Sequence, residues 1–249
     1  MTDPNFYQLQ NKWSKIYFRD VDETDFQKVR WVKQVVPHSF QKILELGAGG
    51  GQFSVALAEQ NYSVTALEKE SDFVNHIEII KKEKSLANLR IIQADFYRVQ
   101  LNETFDLICY WDGFGVSHDQ DQLHLLRKIS NWLVPQGSFL LEVYTPWFWS
   151  GKVCGVERQM GDVLRKYDFD NENCCMIDTW WLKNNPSMRT SQKLRCYSPT
   201  DLQLLLSSTG LKMEEINPGG YVDYETGEYF AEVPLHQAMS YTVRLVHKE

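Results

Sequence analysis

The segment Ile43-Leu44-Glu45-Leu46-Gly47-Ala48-Gly49-Gly50-Gly51 restricts the fold of this chain more than any other stretch. A short apolar run passes straight into a glycine-rich turn and then into sequence of helical periodicity. Only residues without a Cβ let backbone take positive φ without strain and approach a ligand closely. A buried strand, a glycine turn and a helix, in that order, open a parallel α/β sheet. The same rhythm continues downstream. Strands are predicted over 42–46, 62–68, 89–94, 105–110 and 137–144, with helices over 52–60, 71–84 and 120–133. Ser71 is the candidate cap of the second of these helices, and Pro135 the stop of the third.

Short apolar strands alternating with amphipathic helices imply a parallel sheet covered on both faces and wound by right-handed crossovers. Ligands of such sheets bind outside the carboxyl ends of the strands, where strand order reverses. After Tyr144 the pattern changes. Residues 163–168, 174–183 and 191–197 read as strands separated by the turn signals Asp170-Asn171-Glu172-Asn173 and Asn184-Asn185-Pro186. They form an expected antiparallel lid inserted after the fifth strand. Ser198-Pro199-Thr200-Asp201 opens a helix to about Thr209, and 210–217 with 240–247 supply two closing strands. Ahead of the sheet, 6–17 and 23–35 read as aromatic-rich helices (Phe6, Tyr7, Trp13, Tyr17, Trp31) that need apolar surface to cover. The expectation is a single α/β domain with a Rossmann-like, seven-stranded, mostly parallel doubly wound sheet. A helical cap occupies 1–35, the cofactor-binding core 36–150, the substrate lid 151–197, and a closing helix and strands 198–249.

Composition narrows the function classes. At 43 % apolar and 24 % charged residues the chain is globular rather than disordered. A net charge of -7 disfavours nucleic acid, whose capture rests on Lys and Arg. The polar start Met1-Thr2-Asp3-Pro4-Asn5 carries no secretory signature, and no stretch reaches the roughly 20 apolar residues of a membrane span. The five cysteines (Cys109, Cys154, Cys174, Cys175, Cys196) lack zinc-knuckle spacing and read as reduced thiols. A cytoplasmic monomer or homodimer is expected, acting on a small molecule, with neither a nucleic-acid nor a membrane partner.

Acids stand where a nucleoside would need them. Glu68 ends the second strand, where a carboxylate can accept from both ribose hydroxyls. Asp95-Phe96 ends the third, where a carboxylate can meet an adenine amino group and a ring can pack beside the base. The dinucleotide fingerprint needs a small residue where Gln52 stands, so the loop fits a nucleoside cofactor without pyrophosphate. Plainer readings stay open: Glu45 as a cap of the glycine turn, and Glu68 and Asp95 as solvated strand ends. Asp106, at the start of its strand, reads as structural.

From Ile43 to Val143 the chain resembles class I S-adenosylmethionine-dependent methyltransferases of the small-molecule branch. The resemblance rests on ELGAGGG, Glu68, Ala94-Asp95-Phe96 and Phe105-Asp106-Leu107-Ile108. It continues through Leu133-Val134-Pro135-Gln136-Gly137-Ser138-Phe139-Leu140 and the later Tyr197-Ser198-Pro199 to Thr209-Gly210-Leu211 segment. It implies S-adenosyl-L-methionine as cofactor, with Asp95 on adenine, Glu68 on ribose, and backbone at Gly47 and Tyr110 along the methionine part. The full cofactor set expected is Glu45, Gly47, Ala48, Gly49, Glu68, Lys69, Asp95, Phe96 and Tyr110.

A sulfonium methyl is already electrophilic, so positioning can supply ~7–11 kcal/mol of the barrier without a strong base. The loop Trp111-Asp112-Gly113-Phe114-Gly115-Val116-Ser117-His118-Asp119 follows the central strand and resembles the corresponding loop of small-molecule N-methyltransferases. His118 is the base candidate, because an imidazole titrates near neutral pH; the plainer reading is a polar helix entry. Asp112 is the candidate to hold an ammonium or orient His118; the plainer reading is a turn former. Trp111, Tyr144, Trp147 and Trp149 are candidate substrate contacts through their rings, and only one of Trp180 and Trp181 can face the cleft. A metal held by Asp112, Asp119 and Asp121 is set aside, since acids at a helix start suit the macrodipole. The expected activity is methyl transfer to N or O of a small metabolite. A protein or RNA methyltransferase, and an inactive cofactor-binding interaction protein, are the alternatives.

Overall fold

A computed structural model describes residues 2–224 and 226–248, so Met1 of the expected cap and Glu249 of the expected closing segment lie outside the described residues. The parallel core comprises β1 (Lys42–Leu46), β2 (Ser63–Glu68), β3 (Leu89–Gln93), β4 (Phe105–Tyr110) and β5 (Leu133–Tyr144). Two later strands, β10 (Leu211–Pro218) and β13 (Ser240–His247), complete a seven-stranded sheet in the order β10-β13-β5-β4-β1-β2-β3. β13 runs antiparallel to both its neighbours, and the other strand pairs of the sheet are parallel. Side chains alternate between two cores, as a sheet buried on both faces requires. Ile43, Leu107 and Cys109 meet α2 (Glu23–Val35), α3 (Gln52–Glu59) and α4 (Ser71–Glu83) through Val29, Val55 and Ile77. Leu44, Ile108 and Phe139 meet α5 (Asp119–Trp132) and α6 (Pro199–Leu206) through Leu125, Ile129 and Leu202. Strand order reverses between β1 and β4, which opens a crevice at their carboxyl ends.

The lid is a separate antiparallel sheet of β6 (Glu157–Met160), β7 (Val163–Asp170), β8 (Cys175–Leu182) and β9 (Asn185–Arg195). It stands at the carboxyl ends, tied there by Arg195 N–H donating to Gly115 O (2.8 Å) and Tyr197 N–H donating to Tyr144 O (3.1 Å). β6 and the short hairpin of β11 (Tyr221–Val222) with β12 (Tyr229–Phe230) have no counterpart in the sequence reading.

Several boundaries differ, each for a local reason. α5 ends at Trp132 and β5 begins at Leu133, so Pro135 lies inside the strand. The register jumps from Phe105↔Leu133 to Leu107↔Ser138, a bulge that accommodates a residue without an N–H for the ladder. β9 starts at Asn185, ahead of the expected 191, and Pro186 sits on this edge strand of the lid. Ser71 is the first helical residue of α4; the cap position is Glu70, with no side-chain cap bond. Ser198 does cap α6, in a reciprocal box with Asp201.

The cap docks on both lid and core. Phe6 of α1 (Phe6–Ser14) packs with Val163 and Trp180 of the lid, so Trp180 faces the cap. Asp3 N–H donates to Ser191 O (2.9 Å), and Asp3 Oδ2 accepts from Ser191 N (2.7 Å), covering the free edge of β9. Between α1 and α2 the chain crosses the glycine turn, where Gln52 Nε2 donates to Tyr17 O (2.8 Å) and Arg19 O (2.9 Å). A Cβ on Gly50 would lie 1.6 Å from Tyr17 O. Gly50→Ala is therefore expected to lift the 15–22 crossing off the turn and cost about 1–3 kcal/mol, the range for overpacking. Faster proteolysis confined to the first two dozen residues or so, with an intact sheet, is the measurement that checks it.

Candidate functional site

Gly47 and Gly49 at the end of β1 have φ of +65° and +55°, the left-handed region that side chains resist. The turn is fixed by Glu68 at the end of β2. Its Oε2 accepts from Gly49 N (2.7 Å), and its Oε1 from Lys69 N (2.7 Å) and Glu70 N (2.9 Å). Burial raises the pKa of Glu68, and these three N–H donors oppose the shift. A carboxylate has about four acceptor sites, so one at Oε2 stays open towards the cavity. The turn-capping role considered for Glu45 thus belongs to Glu68. Glu45 instead accepts from Ser54 Oγ of α3, and burial pushes its carboxyl up to about 7. Asp95, just past β3, uses Oδ1 to accept from Tyr97 N (2.9 Å), with Oδ2 3.7 Å from Arg98 Nε.

These groups border one cavity of about 410 Å³. All nine residues of the expected cofactor set line it. At its far end stand Trp111 and Asp112, together with Tyr7 and Lys28 from the cap. Asp112 has φ of 55°, unusual for a residue with a Cβ and found most often for Asp and Asn. Tyr144 O–H donates to its carboxylate. Asp112 is exposed to the cavity, yet the protein around it pushes its pKa up to about 6, with desolvation the largest cause and Glu142 adding to it; Tyr144, Arg165 and Lys28 oppose that shift.

Other candidates fall outside this cavity. His118 is the exposed N-cap residue of α5, makes no side-chain cap bond and does not line the cavity. The loop lines the cavity as far as Val116 and leaves it where α5 begins, with His118 as the cap position. Tyr144 reaches the site only through Asp112. Trp147 and Trp149 donate their indole N–H to Leu235 O and Met239 O (each 2.9 Å) and pack with Phe148 and Tyr167; neither lines this cavity, and Trp147 borders a second one with Lys152 and His236. Asp119 accepts from Tyr197 O–H (2.7 Å) and Asp121 from Ser117 O–H (2.5 Å), away from Asp112. Asp106 accepts from Gln41 and Lys42 N–H at the opposite end of the sheet. The sequence reading did not single out Tyr7, Lys28 or Phe73 as cavity residues; the aromatic richness of the first 35 residues was a signal for Tyr7 alone.

Residues 18–216 match the family described as a methyltransferase domain. The chain belongs to that family. S-adenosyl-L-methionine is the family's methyl donor, and the glycine cradle with its open acceptors at Glu68 and Asp95 fits a nucleoside of this kind. The fold is that of the CcbJ methyltransferase of Streptomyces caelestis, with a TM-score of 0.73 over 92 % of this chain and 91 % of that one, at 14 % identity. In sequence the chain is similar to the cypemycin N-terminal methyltransferase of a Streptomyces species, 27 % identical over 120 residues. That stretch is 47 % of this chain and 48 % of the relative. N-methyltransferase 4 of Papaver somniferum is 31 % identical over 108 residues, 42 % of this chain and 30 % of the relative. The chain thus matches half or less of the length of these curated relatives. Among the described residues no helix is long and apolar enough to cross a membrane.

Glu45 gives this methyltransferase a pH signature. Its folded pKa, about 7, exceeds the ordinary 4.5, so between those values the native state holds a proton that the unfolded chain has released. The resulting stabilisation is complete below 4.5 and disappears as pH rises through 7. Glu45→Gln should flatten the melting temperature across this window and stabilise the protein at pH 8, by up to roughly 3 kcal/mol. Thermal unfolding between pH 5 and 8 measures it.

Proposed function

We propose that this protein transfers the methyl group of S-adenosyl-L-methionine to a nitrogen of a small-molecule amine, and that Asp112 holds the acceptor. The observation that carries this reading is the placement of Asp112. A carboxylate in left-handed backbone, bonded by Tyr144, faces the end of the cavity opposite the nucleoside acids, among the rings of Tyr7 and Trp111. Acids outnumber bases among the charged residues that line the cavity, which favours a cationic occupant. Of the two curated relatives named above, one is named an N-terminal methyltransferase and the other an N-methyltransferase. A cavity of about 410 Å³ covered in part by the cap and bordered by the Asp3 segment suits a metabolite better than a protein or RNA.

S-adenosyl-L-methionine supplies the electrophilic methyl on a sulfonium. Glu68 and Asp95 have acceptor capacity for the ribose hydroxyls and the adenine amino group, with Phe96 beside the base. Asp112 accepts a hydrogen bond from the acceptor's N–H and turns its lone pair into the cavity. As the nitrogen becomes positive, the same carboxylate stabilises the developing charge in a site shielded from water. Tyr7, Tyr17 and Trp111 exclude water and fix orientation, the larger part of what such a transfer requires.

Incubation with S-adenosyl-L-methionine and matched panels of amines and phenols should release S-adenosylhomocysteine with amines. Activity confined to phenols, intact protein or RNA would overturn the assignment. Asp112→Asn should raise the Michaelis constant of the amine roughly 10–100-fold, the range for losing a charged hydrogen bond, and leave cofactor affinity unchanged. His118→Ala should change turnover by less than about fivefold, whereas loss of a general base costs ~10²–10⁴-fold.

A further inference from the structure

The cap carries a cation into the cavity that the structure leaves without a polar partner. Lys28 lies on the inward face of α2 and lines the cavity. Its Nζ rests 3.8 Å from the Trp111 ring centroid and 5.6 Å from that of Phe53. Among the described residues no carboxylate or carbonyl bonds it, so its three N–H donors remain available. Ring faces attract an ammonium but do not satisfy its hydrogen bonds.

The other cations at the cavity are committed or remote. Arg19 is bound in a fork by Asp25, at 2.7 and 2.6 Å. Lys69 is exposed and follows Glu68, on the ribose side. Lys28 stands instead at the crevice between β1 and β4, where Trp111 follows β4 and Glu45 belongs to β1. Glu45 lines the same cavity, yet no ion pair joins it to Lys28; the lysine's charge reaches it only through space. An acid and a base held apart across one crevice match the two charges of an α-amino acid group.

We propose that Lys28 receives the carboxylate of the cofactor's methionine end, opposite Glu45 on its ammonium, so that the cap helix α2 supplies half of the cofactor site. The inference rests on the cofactor assignment made above. It makes α2 part of the cofactor site as well as a roof over it: ligand and cap hold each other through one ion pair. An acceptor's carboxylate is the other source of the same chemistry, and the test separates the two.

Dissociation constants for wild type, Lys28→Met and Lys28→Arg are measured by calorimetry with three adenosyl ligands. These are S-adenosylhomocysteine, decarboxylated S-adenosylmethionine, and 5′-methylthioadenosine, which lacks the amino-acid tail. Met keeps an unbranched apolar stem over Trp111. The expected result is a roughly 10–100-fold loss for S-adenosylhomocysteine in Lys28→Met, at most twofold change for the two ligands without a carboxylate, and recovery of most of the loss in Lys28→Arg. Equal losses for all three ligands would reduce Lys28 to a packing residue of the cap and overturn the proposal. Unchanged S-adenosylhomocysteine binding with a raised Michaelis constant for a carboxylated acceptor would move the carboxylate to the substrate, and overturn it too. Failure of the folded wild type to bind any of the three would instead refute the cofactor assignment itself.

Discussion

The carboxylate of Glu68 is the constraint on which the rest of the site depends. A buried acid is costly unless its oxygens are bonded, and here three backbone N–H groups converge on it, from Gly49, Lys69 and Glu70. Those bonds join the turn after β1 to the end of β2, two segments that the parallel pairing alone only brings side by side. With the turn pinned, Gly47 and Gly49 keep their left-handed backbone, and the cavity floor has one shape. Gly50 then presents a surface bare enough for Tyr17 O to settle on, and Gln52 secures the crossing with two bonds. The site is thus built outward from one acid: turn, then cap, then the cap residues that enter the cavity.

The cap covers this centre, and the antiparallel sheet of β6 to β9 holds the cap from outside; among the described residues none of 151–197 lines the cavity. Asp3 bonds the edge of β9, Phe6 packs against Trp180, and Arg195 at the end of β9 bonds the loop after β4. Residues near both ends of the first two hundred therefore meet over a crevice set by β1 and β4. The couplings are few and partly exposed, which is the condition for opening without unfolding the sheet.

The sheet and the glycine turn were legible in the sequence because each rests on local pattern. The short apolar runs of β1 and β4, the glycines after Leu46 and the box at Ser198 require no knowledge of distant contacts. Glu68 was placed correctly at the cavity, yet its bonds to three N–H groups were invisible, because they depend on how β2 lies beside β1. His118 was misplaced for a related reason. Sequence puts it after the central strand, but the loop lines the cavity only as far as Val116, and His118 is the N-cap of α5 outside it. Trp147 and Trp149 looked like ligand contacts, whereas their N–H groups answer carbonyls at Leu235 and Met239, in a stretch with no readable periodicity. Lys28 and Tyr7 went unread because α1 and α2 fold back across a gap that no local pattern encodes.

The electrostatics of the cavity follow from the same geometry. Glu45 and Asp112 stand at the carboxyl ends of β1 and β4, and desolvation by the surrounding protein is the largest cause raising both, to about 7 and about 6. Lys28 opposes both shifts through space without bonding either acid. On the reaction proposed above, the cofactor's sulfonium and amino-acid ammonium would bring positive charge to these acids, while the amine acceptor arrives neutral with its lone pair free. Methyl transfer to that nitrogen would then move positive charge from sulfur towards Asp112, and its carboxylate would favour the charge distribution of the transition state. The left-handed backbone at Asp112 belongs to this arrangement, for strain of order 1–3 kcal/mol persists where surrounding contacts fix a functional group in place. Tyr144 supplies that contact from the neighbouring strand, which is why a residue that never lines the cavity still helps define what can bind there.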